Sequence, residues 1–434
     1  MRRWVFEWLL VFAGSNLSLG AQPTPIAFVG ARVIPITGSE IPNGIVVIQN
    51  GKILAVGGPS TPVPARARRI DARNKVILPG LVDTHSHIGA VEGGDFSAAL
   101  HPDVRALDSI NVRDARIQKA QAGGITTVNI MPGSSLLMSG QTIYLKLRDG
   151  KTIEDLLIPG PDGKPAGGMK MANGTNPRGA PPRPGTRAKA AALMREQFLK
   201  AQEYREKLRA AAGDASKLPP RDLRMEALVE ILDGKRVVHF HTHRHDDILT
   251  ALRLAREFQF RVVLQHVSDG WAVAEEIAAA KAPCSLIVID SPGGKLETKD
   301  NNYGTAAVLD RAGVLVGFHT DDSVTDSRFF LRSAALAVRA GLSREKALYA
   351  MTMAGAIMLD LEKRIGSLEP GKDADLILLD GDPLSIYTHV LETWVDGVKV
   401  FDREDPKDRL YATGGYGASH DQSEHVHLCG QEVE

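Results

Sequence analysis

Cysteine is scarce: the chain has 434 residues and two cysteines, Cys284 in an apolar run and Cys429 in a polar tail. So few thiols exclude a disulfide framework and a cysteine-based zinc site. Net charge is lacking as well, since 52 basic residues balance 52 acidic ones. No global field therefore draws the chain to nucleic acid or to an anionic membrane surface. Beyond the N-terminal stretch, no apolar run approaches the ~18 residues of a membrane span. There is no glycine-rich nucleotide fingerprint and no internal repeat. The chain is long enough for one large domain and a smaller one, and its 43% hydrophobic and 24% charged residues are ordinary for a globular protein. Its thirteen histidines are less ordinary, because several cluster.

The N-terminus has the pattern of an export signal over residues 1–21. Met1-Arg2-Arg3 supplies charge, Trp4 to Ala13 is mostly apolar, and Ser18-Leu19-Gly20-Ala21 offers small residues for cleavage. A periplasmic or secreted protein is expected; an uncleaved amphipathic start is the alternative. Residues 25–79 then alternate short apolar runs with turns, including the hairpin signal Asn50-Gly51. Residues 362–410 carry a matching set, with Asp373 to Leu379, Val390 to Val395, a turn at Asp396-Gly397, and Val398 to Phe401. Neither set is large enough alone, and together they close one small β-sandwich built from both chain ends. Residues 411–434 form a flexible tail, in which His420, His425, His427 and Cys429 offer a second metal site or, as the simpler reading, belong to a disordered terminus.

Residues 80–361 alternate candidate strands, centred on Val82, Val128, Ile143, Met169, Val238, Val263, Ile287 and Val316, with helical stretches. Those stretches include Val104 to Ala122, Asp247 to Phe258, Trp271 to Ala280 and Ser343 to Met353. This alternation predicts an α/β fold, a (β/α)8 TIM barrel whose active site lies at the C-terminal ends of its strands; a doubly wound open sheet is the runner-up. Asn173 to Pro220 interrupts the pattern with a proline-rich start and a helical Thr186 to Ala212. It either shapes the pocket or forms a solvated helix.

The chemistry concentrates at strand ends. In Leu78-Pro79-Gly80-Leu81-Val82-Asp83-Thr84-His85-Ser86-His87, alternation points His85 and His87 the same way just past a buried strand. Two such imidazoles are half of a transition-metal site; solvent-facing loop histidines are the bland alternative. His239, His241, His243 and His245 fall within seven residues, the first three on one face. His266 ends an apolar run, and Asp321 and Asp322 follow another. Lys170 sits in a short apolar strand, where an ammonium is costly unless paired, neutral or snorkelling to the barrel mouth. Arg178, Arg183 and Arg187 recognise a substrate carboxylate or are surface charges.

Two of these stretches carry a resemblance. Pro79 to His87 is similar to the first-strand signature of the amidohydrolase superfamily, and Gly366 to Leu376 resembles its return strand. The resemblance implies a barrel with a split sandwich and a metal set of His85, His87, Lys170, His241, His266 and Asp321. It implies that Lys170 is carboxylated by carbon dioxide to bridge two ions, and leaves His243, His245 and Arg178 as substrate contacts or supports of the ligands. Imidazole and carboxylate donors without thiolate suit Zn2+, as one ion or two. The implied activity is hydrolysis of a carbon–nitrogen bond by metal-activated water, on a small molecule or short peptide, closest in pattern to imidazolonepropionase-like and prolidase-like members. Asp321 would act as general base and then acid. One departure stands out: the resembling group usually has Gly-Glu-Asn-Pro where this chain has Gly174-Thr175-Asn176-Pro177. Ester, lactone or phosphotriester hydrolysis on the same metal site, or metal binding without catalysis, are the alternatives.

Overall fold

The computed structural model describes residues 24–91, 93–287 and 295–414. The expected export signal at 1–21 and the tail residues His420, His425, His427 and Cys429 lie outside the described residues. The helix Pro406–Thr413 runs into the stretch expected to be flexible tail.

Five strands open the described chain: β1 (Ile26–Val33), β2 (Ile41–Gln49), β3 (Lys52–Gly57), β4 (Arg68–Asp71) and β5 (Val76–Pro79). Nine follow: β6 (Leu81–Ser86), β7 (Ile125–Ile130), β8 (Met138–Gln141), β9 (Ile143–Lys146), β10 (Met169–Ala172), β11 (Val238–Thr242), β12 (Val262–His266), β13 (Cys284–Ile287) and β14 (Val316–His319). Three more come last: β15 (Leu376–Leu379), β16 (Val390–Val395) and β17 (Val398–Asp402).

The strands of both chain ends pair into one eight-stranded sheet. β5 makes the link, parallel to β1 and antiparallel to β15. Pairing is therefore continuous from β17 to β3, with β4 added beside β1. The hairpins form where turn chemistry predicts them. Asn50 and Gly51 have φ of 51° and 74°, and Asp396 and Gly397 have 48° and 75°, the left-handed pair that a two-residue hairpin turn requires. The two ends share a core of Ile26, Phe28, Val46, Leu376 and Trp394, with Phe28 and Trp394 edge-to-face at 5.3 Å.

The middle of the chain is a TIM-barrel-like α/β arrangement, not a regular (β/α)8 barrel. β10 to β14 run parallel in order, and β6 and β7 pair in parallel. Between these groups the third strand runs backwards, with β8 antiparallel to β10 and β9 antiparallel to β7. No helix separates β7 from β8, so the loop Met131 to Leu137 returns the chain directly. At the other side, the Asp321 amide donates to the His85 carbonyl at 2.9 Å, joining the end of β14 to the end of β6.

Helices cover these strands, several of them shorter than the sequence suggests. α1 (Ala115–Ala122) replaces the helix expected from Val104; Asp114 caps it by accepting from the Arg116 amide. The stretch expected at Trp271 to Ala280 starts as a 3-10 turn, and the one at Ser343 to Met353 breaks at Met351 and Thr352. α2 (Arg187–Ala210) is the insertion helix, started by a Thr186 cap. It is no free solvated helix: Met194, Phe198 and Ala201 are buried, and Phe198 stacks on Phe258 and Phe260 at 5.0 Å. α3 (Leu223–Leu232) packs on α2, and α4 (His245–Phe258) follows β11.

Two features tie the parts together. Gly80 alone separates β5 from β6, and a Cβ there would lie 2.1 Å from Thr126 Oγ1, so only glycine fits. Lys146, at the end of β9, is buried, with its Nζ 2.6 Å from Asp375, 2.8 Å from Asp396 and 2.9 Å from Asp373.

Candidate metal centre

β6 ends in Thr84-His85-Ser86 with His87 just beyond, and the structure turns both imidazoles toward Asp321. His87 Nε2 is 3.0 Å and His85 Nε2 3.4 Å from Asp321 Oδ1, all three side chains buried. His87 Nδ1 donates to the Met131 carbonyl at 2.7 Å, so Nε2 is the lone-pair nitrogen. Met131 follows β7 directly and its amide donates to the Ser86 carbonyl at 3.1 Å, so the β6–β7 pairing sets its carbonyl beside His87.

The tautomer of His85 follows from a chain of hydrogen bonds. Tyr144 OH meets His239 Nε2 at 2.9 Å, His239 Nδ1 accepts from Gln265 Nε2 at 3.1 Å, and Gln265 Oε1 faces His85 Nδ1 at 3.3 Å. An amide oxygen only accepts, so His85 carries its proton on Nδ1 and presents Nε2 to the centre. Lys170 Nζ donates to that Nε2 at 2.9 Å and also lies 3.3 Å from Met131 Sδ. Lys170 is fully buried, and among the described residues its place beside His85 puts it in the same cluster.

His266 and His241 complete the expected set. Their rings lie 4.4 Å apart, and that of His266 is 4.7 Å from that of His85. His266 Nδ1 meets His319 Nε2 at 3.1 Å, and His319 Nδ1 is 2.8 Å from Ser285 Oγ. His243 joins the cluster, its ring 4.6 Å from that of His241 and its Nδ1 2.8 Å from Ser268 Oγ. His245 does not: it starts α4 with its ring exposed, 3.6 Å from Asp269. Arg178 stays outside too, donating to the Gly174 carbonyl at 3.1 Å. His245 lies apart because the chain leaves the strand after Thr242 and His245 already begins α4.

Electrostatics favours neutral ligands. Burial pushes the imidazolium forms of His85, His241, His243 and His266 well below the usual range, and those of His239 and His319 down to about 3. Burial would raise Asp321, but the facing His87, with His319 and the Lys170 ammonium behind it, outweighs burial and holds the carboxyl below the usual carboxylate range. Asp83 supports both sides: it accepts from the His85 amide at 3.2 Å and from the Thr320 hydroxyl at 2.6 Å, and burial pushes it up to about 7. The backbone is strained here. His266, Val267 and Asp321 have φ of 70°, 54° and 50°, a conformation that costs about 1–3 kcal/mol per non-glycine residue and concentrates at functional sites.

Several buried atoms lack a hydrogen-bond partner among the described residues: His87 Nε2, Asp321 Oδ1, His266 Nε2 and both ring nitrogens of His241. Bare acceptors cost free energy in a buried site. The donor atoms of His85, His87 and Asp321 all lie within 4.8 Å of one another, as do those of His85, His266 and His319. The residues therefore fit a divalent cation. His319, Gln265 and Asp83 were not singled out in the sequence; alternation gave a signal for Asp83, two residues before His85 on the same face. A cavity of about 920 Å³ near Val237, Phe260 and Pro283 lies before the starts of β11, β12 and β13, at the opposite end from this centre.

Residues 186–401 match the amidohydrolase family. The chain is 27% identical over 392 residues to the amidohydrolase tasK of Hapsidospora irregularis, covering 83% of this chain but only 40% of that longer protein. It is 25% identical over 382 residues to the imidazolonepropionase of Streptomyces avermitilis, covering 79% of this chain and 83% of the relative. Among solved structures, an amidohydrolase from Thermotoga maritima superposes with a TM-score of 0.82 at 36% identity, over 87% of this chain and all of that one.

Proposed function

This chain belongs to the amidohydrolase family, and from that premise we propose that it is a metal-dependent hydrolase of carbon–nitrogen bonds acting on a cyclic amide, an N-acyl compound or a short peptide. The observation that carries the reading is the convergence of His85, His87 and Asp321 from the two ends of the strand series, with buried, unpartnered His87 Nε2 and Asp321 Oδ1 3.0 Å apart. Similarity to an imidazolonepropionase supports the substrate class.

His85, His87 and Asp321 hold the cation, with Lys170, His241 and His266 alongside. Zn2+ is the ion these donors suit best, and carboxylation of Lys170, as a bridge between two ions, belongs to the same proposal. A divalent ion in such a site lowers the pKa of water toward neutrality and polarises a carbonyl. Asp321 accepts the proton of the attacking water and returns it to the leaving nitrogen, so that water adds across the broken bond. Asp83 and Gln265 hold His85 in place. Closure of the strands into a full barrel is part of this reading, supported by the Asp321–His85 backbone bond.

The test is removal of metal with a chelator, followed by assay on amides, cyclic amides, dipeptides and esters before and after Zn2+ is restored. Amide hydrolysis lost and regained with metal is expected; activity on esters alone, or activity indifferent to the chelator, would sink the reading. Export is proposed on the composition of residues 1–21. N-terminal sequencing of the extracytoplasmic protein would show a start near Ala21, and an intact Met1 there would reject cleavage.

A further inference from the structure

Four buried polar side chains form a row through the interior of the strand series: His266 at the end of β12, His319 at the end of β14, Ser285 in β13 and Thr84 in β6. His266 Nδ1 meets His319 Nε2 at 3.1 Å, His319 Nδ1 meets Ser285 Oγ at 2.8 Å, and Ser285 Oγ meets the Thr84 hydroxyl. The row ends at the Phe318 carbonyl, 3.5 Å from Thr84 Oγ1. The His319 ring also stacks on that of His85, with centroids 4.8 Å apart and planes 24° from parallel. Polar groups buried this deeply must satisfy one another, yet the reaction proposed above gives His319, Ser285 and Thr84 nothing to do.

The carbonyl sets the direction of the row. A carbonyl oxygen only accepts, so Thr84 gives its proton to Phe318 and takes that of Ser285. Ser285 in turn takes the proton on His319 Nδ1. A neutral imidazole carries one proton, so His319 Nε2 is left as an acceptor and His266 donates to it from Nδ1. The lone pair of His266 then sits on Nε2, a buried nitrogen with no hydrogen-bond partner among the described residues. In the opposite direction the row would put a proton on that nitrogen and close it to a cation. Asp321 does not supply the orientation, since its Oδ2 stands 3.8 Å from His266 Nδ1, beyond hydrogen-bond reach.

We propose that His319 is a positioning residue for the metal centre: its Nε2 fixes the tautomer of His266, and Ser285 and Thr84 fix its own. The inference rests on the metal-dependent reading above and adds a residue that acts on the ion only through His266. Gln265 faces His85 with an amide oxygen, and His319 faces His266 with a ring nitrogen. The two imidazoles are thus set by separate devices. One donor atom each of His85, His266 and His319 lie within 4.8 Å of one another, so the competing role for His319 is that of a ligand, and the test has to separate the two.

That test compares His319→Gln with His319→Asn in the full-length protein, freed of metal and titrated with Zn2+ against an indicator. The amide oxygen of glutamine reaches the place of Nε2, while that of asparagine stops short at the place of Nδ1. The variants therefore differ in reach and not in chemistry. His319→Asn should bind Zn2+ roughly 10–100-fold more weakly than wild type, and His319→Gln nearly as well as wild type. X-ray absorption of the Zn2+ forms counts imidazole ligands and should give wild type and His319→Gln the same number. Circular dichroism and melting temperature check that both variants fold. A His319→Asn protein that binds as wild type does overturns the proposal and leaves the His85–His87–Asp321 centre standing. So does equal weakening in the two variants, or one imidazole fewer in His319→Gln, which would make His319 a ligand. Wild type that takes up no Zn2+ overturns the metal-dependent reading together with this one.

Discussion

His87 Nε2 lies 3.0 Å from Asp321 Oδ1, off the line of a hydrogen bond, while its Nδ1 is committed to the Met131 carbonyl. Two lone-pair atoms held face to face in a buried site repel unless a cation or proton lies near both. The contact spans the whole strand series, since His87 follows β6 and Asp321 follows β14. On the proposed function, metal binding and proton transfer would fall on one carboxylate.

Asp321→Asn preserves the shape and one acceptor oxygen but cannot take up a proton. Turnover is expected to fall by roughly 10²–10⁴-fold, with a melting temperature near that of wild type. Turnover within a few-fold of wild type would remove Asp321 from proton transfer.

Gln265→Leu tests the chain from Tyr144 to His85. Both bonds of the amide disappear, so His85 loses the acceptor that fixes its tautomer, and metal affinity should weaken by roughly 10–100-fold. The stranded His239 Nδ1 should cost about 1–3 kcal/mol of stability. Competition with a zinc indicator and urea unfolding measure the two effects; unchanged affinity would mean that His85 is oriented by something else.

Lys146→Met leaves Asp373, Asp375 and Asp396 without the cation that all three share. Breaking a buried ion cluster in this way costs on the order of 3–5 kcal/mol. In wild type, burial works against the charged form of Asp373 and Asp396, but Lys146 outweighs it, so both carboxyls stay below their usual range. Carboxyls lowered in the folded state contribute stability above their unfolded pKa and lose it as pH falls through the lower folded value. Asp373 keeps Lys52 and Arg364 and Asp396 keeps Arg148, but Asp375, which burial already pushes up to about 6, faces no other cation among the described residues. Without Lys146 all three carboxylates are harder to keep charged, so the variant is helped by acid. The gap in unfolding free energy should therefore widen as pH rises from about 4 to 7; a gap that stays level across that range would reject the coupling.

Much of this was legible because strand periodicity and chemistry coincide. Each of the eight expected strand centres falls within an observed strand, and His85, His87, Lys170, His241, His266 and Asp321 gather in one cluster. What stayed hidden depends on direction and on distant contacts. Ile143 sits in a strand as expected, yet an apolar run reads the same forwards or backwards, so nothing betrayed its reversal. Helix composition overstated the stretch from Val104, because a capping aspartate sets the start at Ala115. Nothing in the run ending at His319 pointed to His266, and only the fold brings the two together.

The joint at Gly80 bears on how the molecule moves. With one residue between β5 and β6, packed so tightly that a methyl group would collide with Thr126, the chain has no slack there to act as a hinge. Lys146 clamps the same two parts a second time through three aspartates. Swinging of one part against the other is closed off as a gate, so admission of substrate and escape of product fall to the segments over the strand ends, such as Met131 to Leu137 and the run leading into Arg187. A spin-label pair across Gly80 would keep one distance through turnover, while labels on those segments would not.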